Sequence, residues 1–458
     1  MKLSIVLVVA AAGACGSVGA RDPGDAPPGG DGSGSAAAAG ALVWARSTSA
    51  MSPYRVQLGA GGLVVAGSFN APSMLGTTTL VPAGDYDMAI AGLSPDDASV
   101  LYATRFGDVG YEAAFVDTLD AGGAPIVHGI TSGTTNFGAG QSLGGGGSDT
   151  FIGRYGSGPP AWTHRLATAD EDKIIATSPG PNGTVYATGY FVTSATIGST
   201  VLNGTAGRDA MLWSFNTATG AIGLAKAFNG PGRNEGSDVV WHGNDTFLAG
   251  MFDGTMPAGA QTLTSAGGLD LFVAKLDSNG QFVWAKSFGG TGDDYGPRIG
   301  VDGAGDLYIA GTFQNQIGFG AVNLTSAGSD DVYLAKLHGS DGSVVWATSI
   351  GATGSDNIID LAVDGTGRVV ITGNASGALN IGGGNQGGLD AFIACYEGAA
   401  QLRWVRVIGT PNDDRGWGAT FGSDGKIYAT ATVGGAVDLG VPLIGPANPT
   451  GLLLKIVP

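Results

Sequence analysis

Acidic residues recur in short groups along the chain, at Asp170-Glu171-Asp172, Asn234-Glu235, Asp293-Asp294, Asp356-Asn357 and Asp413-Asp414. Carboxylates gathered on one face could bind Ca²⁺, which takes several oxygen ligands. Asp293, Asp294, Asp356, Asp413 and Asp414 are the candidates for such a site. The same residue types also cap tight turns by accepting backbone N–H groups. Their spacing is periodic rather than clustered, which weakens any single chelate. A carboxylate pair could instead serve as general acid and base on a saccharide or similar polymer, provided that two converge to about 5–10 Å.

Other chemistry finds less support. The histidines are His128, His164, His242 and His338, and no two share a spacing that would set both on one metal ion or beside one nucleophile. No Gly-x-Ser-x-Gly elbow lies in a strand-turn-helix setting, and the run at 144–147 precedes no helix that could hold phosphate. Cys395 lies in an apolar run, 391–396, as a small buried hydrophobe, while Cys15 belongs to an export segment. A disulfide framework and a cysteine-rich zinc site are thereby excluded. No catalytic residue and no cofactor is assigned beyond the Ca²⁺ candidate.

The bulk composition narrows the partners. Acidic residues outnumber basic ones 38 to 21, for a net charge of −17. Nucleic-acid binding needs the opposite balance, and an anionic bilayer would repel the body of the protein. Glycine supplies 84 of 458 residues and charged residues only 13%, the mix expected from many turns joining many buried strands.

The first residues describe export. Lys2 is followed by an apolar run over 3–14, too short for a membrane span of about 20 residues and suited to a signal segment. Ala12-Gly13-Ala14-Cys15 resembles a bacterial lipobox, with Ala12 where Leu is usual. Lipidation at Cys15 is therefore expected, with cleavage after Ala20 as the alternative. Residues 16–40 are mostly Gly, Ala, Pro, Asp and Ser, a composition that reads as a flexible tether.

The elements that carry the acidic groups come from a repeat. DLFVAKLDSNGQFVWAKSFGG begins at Asp270, DVYLAKLHGSDGSVVWATSIG at Asp331 and DAFIACYEGAAQLRWVRVIG at Asp390. Three landmarks keep a period of about 60 residues. They are a bulky residue (Trp44, Tyr102, Trp162, Leu224, Trp284, Trp346, Trp404), a glycine (Gly67, Gly129, Gly189, Gly250, Gly311, Gly373, with Ala431 last) and an aspartate (Asp87, Asp149, Asp209, Asp270, Asp331, Asp390). Each unit holds four short β-rich runs, such as 298–302, 307–313, 332–337 and 344–350. The glycine is expected where inner strands crowd as blades converge. Connections of the kind spanning 193–208 and 314–329, each with an Ile-Gly and a later Leu, are expected to fold as flaps on their own blade or to contact a ligand.

The body starts with the last strand of a unit, around Trp44, and ends with the third strand of a unit, around Leu453. Pairing Trp44's strand with Leu453's would close a ring and hide both edges. The expected fold is all-β: a seven-bladed β-propeller of four-stranded antiparallel blades over 41–458, closed by its N-terminal and C-terminal strands, following the signal segment 1–15 and the linker 16–40.

The units over 270–313 resemble the bacterial seven-bladed β-propeller repeat family (SBBP-like) of secreted and surface proteins. That resemblance is sharp over 235–433 and weaker over 50–230, where Leu224 replaces Trp. It implies architecture and no specific activity. A fainter similarity at 341–346 is to quinoprotein-type propellers, whose redox members use a vicinal cysteine pair that this sequence lacks. The leading expectation is a non-catalytic, monomeric binding or scaffold propeller. It would sit at the outer membrane or cell surface through a lipid anchor, with an envelope protein or polysaccharide as ligand. A secreted form, a carbohydrate-active or other hydrolytic or lytic propeller enzyme, and an outer-membrane assembly role are the alternatives.

Overall fold

A computed structural model of the chain describes residues 38–132, 135–137, 142–143, 148–166, 171–384, 386–446 and 450–458. Cys15, Asp170 and most of the 16–40 linker lie outside the described residues. Residues 38–458 form one compact unit, and seven antiparallel sheets of four long strands make it up. The first six sheets span 52–106, 112–166, 173–228, 234–288, 294–350 and 356–408. In sheet five the strands are Asp294–Val301, Leu307–Phe319, Val322–Leu337 and Val344–Ile350, each paired with the next. The seventh takes Arg415–Phe421, Ile427–Thr432 and Gly451–Ile456 from one end of the sequence and Leu42–Ser47 from the other. Ala45 sits opposite Leu454, Arg46 opposite Leu453 and Trp44 opposite Lys455. This is the closure expected from the sequence, and a short strand, Leu443–Ile444, runs parallel along the outside of it.

Seven apolar clusters hold the ring, one at each boundary between blades. Phe247, Leu271 and Val273 of blade four pack on Ile309, Phe313 and Ile317 of blade five. Tyr308 and Leu334 of blade five pack in turn on Ile371 and Phe392 of blade six. The middle strands of each blade face a neighbour on both sides, so Val369–Ala375 and Asp87–Leu93 are buried along their whole length. Each fully buried Leu or Phe contributes about 1.5–3 kcal/mol. Cys395 belongs to the boundary between blades six and seven, and burial pushes its thiol up to about 12.

The recurring glycine has a different cause from the one its position suggested. In six of the blades the inner strand bulges at the level of this glycine, or of Ala431 in the seventh, with register shifts such as Pro53 to Arg55 and Ile174 to Ala176. The bulge pushes a carbonyl against the second strand of the same blade. A Cβ on Gly67 would lie 1.9 Å from the Ser52 oxygen, and one on Gly189 would lie 1.8 Å from that of Lys173. The crowding is within a blade and does not come from blade convergence; blade two, whose shift lies further on at Val116 to Thr118, still sets a Cβ on Gly129 2.0 Å from the Ala113 oxygen.

In blades one to five the long connections are hairpins. Ser73–Leu75 pairs with Thr78–Leu80, and Thr255–Ala258 with Gln261–Thr264. In blades three and five the second and third strands simply run on into the hairpin. Their Ile-Gly signature places Ile197 and Ile317 in the boundary clusters and Gly198 in the tight turn at φ +59°.

Candidate functional site

At the bulges, the inner strands of blades one, two, four, five and six supply the charged residues Arg55, Asp117, Asp238, Arg298 and Asp360, which form a plug in the central channel. Three carboxylates come from alternate blades: Asp117, Asp238 and Asp360. Each accepts an N–H of the following blade, Asp117 from Thr177 at 3.2 Å, Asp238 from Ile299 at 3.0 Å and Asp360 from Ala419 at 2.9 Å. Arg55 donates to Asp117 at 3.1 Å and reaches the carbonyls of Trp417 and Ile359, so it ties blade one to blades two, six and seven. Arg298 donates to the Ser237 and Ile359 carbonyls at 3.1 and 3.0 Å. His128 lies 2.6 Å from Asp117.

Burial opposes ionisation throughout this plug, and the neighbours decide which carboxylates overcome it. Burial acts against Asp117, yet His128, Arg55 and Arg298 hold it down to about 2. Burial pushes Asp238 up to about 7, with Arg298 and the Ile299 N–H opposing and Asp117 and Asp360 adding to the rise. Burial likewise raises Asp360, against the pull of Arg55 and Arg298. These groups fasten blades together across the channel, a structural job for residues whose types could also do acid–base chemistry. Nothing in the residue pattern marked them as a set, because they lie one or two repeats apart in separate blades.

The acidic connections lie on the face that carries the long hairpins. Asp294 opens an inner strand and accepts the Gly290 N–H at 2.9 Å. Asp356 accepts from Ala352 at 2.7 Å and Ser376 at 3.2 Å, and Asp414 from Thr410 at 2.5 Å and Gly434 at 2.8 Å. Asp293 and Asp413 accept the N–H groups of Leu269 and Leu389 in the preceding connection, at 3.0 and 3.2 Å. All five cap turns or pin connections, and they belong to three different boundaries. Among the described residues no group of three or more His, Cys, Asp or Glu converges as a metal site would require. The buried partners of Asp294, Asp356 and Asp414 are Asp270, Asp331 and Asp390. The sequence marked these three only as strand-opening landmarks, although their offset of about 24 residues from the inner-strand aspartates repeats within the period.

The hairpin face also exposes apolar side chains. Val109 is 75% exposed in the connection between blades one and two, with Val81 and Met74 at 58% in the neighbouring long connection. The two connections run side by side, Tyr86 bridging to Tyr111 with their rings 5.3 Å apart. On the opposite face a cavity of about 200 Å³ between blades two and three is lined by Thr118, Asp120, Pro179 and Thr217, below the usual size for small-molecule sites. The remaining histidines stand apart: His164 against the Gly220 carbonyl, His338 beside Asp306 and His242 near Gly305.

No family model matches the sequence. An uncharacterised WD-repeat-containing protein of Acanthamoeba polyphaga mimivirus is 24% identical over 194 residues, 35% of this chain and 14% of that protein's length. Among solved structures, the Dos1 propeller is similar with a TM-score of 0.42 and 9% identity, covering 91% of this chain and 94% of its own. Chaetomium thermophilum Raptor gives 0.47 and 7%, over 92% of this chain and 29% of Raptor. The quinohemoprotein alcohol dehydrogenase of Comamonas testosteroni gives 0.43 and 10%, over 91% and 76%. These likenesses assign no activity to the chain.

Proposed function

We propose that the chain is a non-catalytic binding or scaffold propeller of the SBBP-like kind, exported and held at the cell envelope through lipidated Cys15, with residues 16–40 as its tether. The hairpin face meets the ligand, an envelope protein or a polysaccharide. What carries this reading is the exposure of Val109, Val81 and Met74 beside Tyr86 and Tyr111. Contiguous exposed apolar groups rimmed by polar residues characterise interaction surfaces. The channel carboxylates are already occupied by neighbouring amides and guanidinium groups, which supports a role in holding the ring rather than in turnover.

The test is binding of the 41–458 body to isolated cell-envelope fractions and to immobilised envelope polysaccharide. Saturable binding that drops at least about tenfold, or about 1.4 kcal/mol, on Val81→Asp with Val109→Asp is expected. Binding that ignores both substitutions would remove the assigned surface.

A further inference from the structure

At six blade boundaries an acidic or amide residue opening the inner strand follows an aspartate opening the third strand of the blade before. The pairs are Asp87 with Glu112, Asp149 with Asp172, Asp209 with Asn234, Asp270 with Asp294, Asp331 with Asp356 and Asp390 with Asp414. The space between them is tight: a Cβ on Gly107 would lie 2.7 Å from both Asp87 Oδ1 and Glu112 Oε2. Glycine recurs at that place as Gly289, Gly351 and Gly409, where a Cβ would run into Asp270, Asp331 and Asp390.

The first three boundaries each limit the charge that this space must hold. Arg105 pairs with Asp87 and Arg165 with Asp149. At the third boundary the partner of Asp209 is the amide Asn234. With its carboxylates ionised, each of these boundaries carries one net negative charge. The next three have no such device. The strand positions of Arg105 and Arg165 are taken by Ser287, Ser349 and Val407. The six aspartates there are 0–2% exposed. One oxygen each of Asp270, Asp294, Asp331 and Asp390 has no hydrogen-bond partner. The charged groups that act on them among the described residues are acidic: Asp293 on Asp270 and Asp294, and Asp330 on Asp331 and Asp356. Tyr333 faces Asp294, and Asp390 acts on Asp414.

Two buried ionised carboxylates facing each other with unpaired oxygens are strongly disfavoured. We infer that each of these three boundaries holds one proton shared by its two aspartates, Asp270 with Asp294, Asp331 with Asp356 and Asp390 with Asp414, so that the ring tightens by protonation and loosens in alkaline solution. The shared proton makes one carboxyl a donor to the other. Burial moves these groups in the required direction, Asp270 to about 6 and Asp294 to about 8, with Asp331, Asp356, Asp390 and Asp414 also raised. A raised folded-state value means that the stabilisation is complete below the unfolded value of 3.8 and is lost as pH rises through the folded one.

The experiment compares the thermal midpoint of the wild-type protein with that of the triple variant Asp294→Asn, Asp356→Asn, Asp414→Asn, between about pH 5 and pH 9. The wild-type midpoint should fall across this range, and the triple variant should lose the larger part of that fall, keeping only the share from groups such as Glu112 and Asp238. Infrared spectra at neutral pH should show a protonated-carboxyl C=O band that weakens in the triple variant. Single Asp414→Asn protein gives the same two readouts if the triple variant does not fold. An equal fall in both proteins, or an unchanged carboxyl band, would overturn the inference. So would a wild-type midpoint at high pH that added Ca²⁺ raises and a chelator lowers, since a metal ion would then supply the charge.

Discussion

Trp44 and Lys455 lie opposite each other in the closing sheet and reach the same acceptor, the backbone oxygen of Pro95 in the next blade, at 3.2 and 2.9 Å. The first and last strands therefore pair with each other and jointly clasp blade one. Lys455 also meets Asp424 at 2.9 Å and lies over the Tyr428 ring.

Removing this clasp should be felt mainly as stability. Trp44→Phe keeps most of the apolar area and deletes the indole donor, and it should lower unfolding free energy by about 1 kcal/mol. Trp44→Ala also opens a cavity against Tyr428 and should lose about 3–5 kcal/mol. Chemical denaturation of the two variants checks both values.

The same clasp recurs at three more boundaries. Trp162 donates to the Thr217 carbonyl at 2.8 Å, Trp284 to Gly339 at 3.2 Å and Trp346 to Gly398 at 3.0 Å, each acceptor lying in the outer hairpin of the following blade. Blade three has Leu224 at this position, packed near Gly280 as Trp284 packs near Gly342. Trp346→Phe should therefore lower stability by about 1 kcal/mol. Restoring the donor with Leu224→Trp should raise it by a similar amount. Equilibrium unfolding of each variant is the measurement.

Removing a channel guanidinium should be costly, because its carboxylate partners stay buried. Arg55→Met leaves Asp117 and Asp360 facing each other and should destabilise by about 3–5 kcal/mol. The loss should shrink in acid as protonation relieves the repulsion. Asp238, pushed up to about 7, stabilises fully below its unfolded value and progressively less as pH rises through neutrality. Asp238→Asn should flatten that part of the stability profile. Asp117, held near 2, contributes above its unfolded value and is lost only as the pH falls towards 2. Denaturant midpoints across pH separate the two.

Backbone crowding at the bulge sets a further expectation. Gly189→Ala puts a Cβ 1.8 Å from the Lys173 oxygen and cannot be absorbed by a rotamer change. Its loss should be about 3 kcal/mol or more, whereas Gly425→Ala, at a turn with open space but φ +72°, should lose only about 1 kcal/mol. Thermal scans of both variants rank them.

Much of the architecture was legible because the ring repeats it. The period, the strand count and the closure followed from landmarks such as Trp284 and Asp270 and from the fragments at 42–47 and 451–456. The acceptors of the tryptophan clasp were not legible, since Pro95, Thr217, Gly339 and Gly398 offer only carbonyls, which any residue type supplies. The glycine position was visible but its cause is the close approach of two strands within one blade, set by register and in six blades by a bulge, which residue types alone do not specify. The acidic groups were visible, while their pairing was hidden: Asp270 and Asp294 stand in different blades, and their spacing reads as two turns until the strands are placed.

Closure of the ring is tested most directly by joining Ala45 and Leu454, which lie opposite each other across the closing pair. In the 41–458 body, which leaves out Cys15, and with Cys395→Ala to remove the remaining thiol, Ala45→Cys plus Leu454→Cys should form an intramolecular disulfide on oxidation of the folded protein, antiparallel neighbours lying at a suitable Cα separation of about 4.4–6.8 Å. The unfolding midpoint should then rise over the reduced form, because the bond constrains a very long loop. Two free thiols after oxidation of a folded monomer, or cross-links found solely between separate chains, would contradict a ring closed by its own two ends.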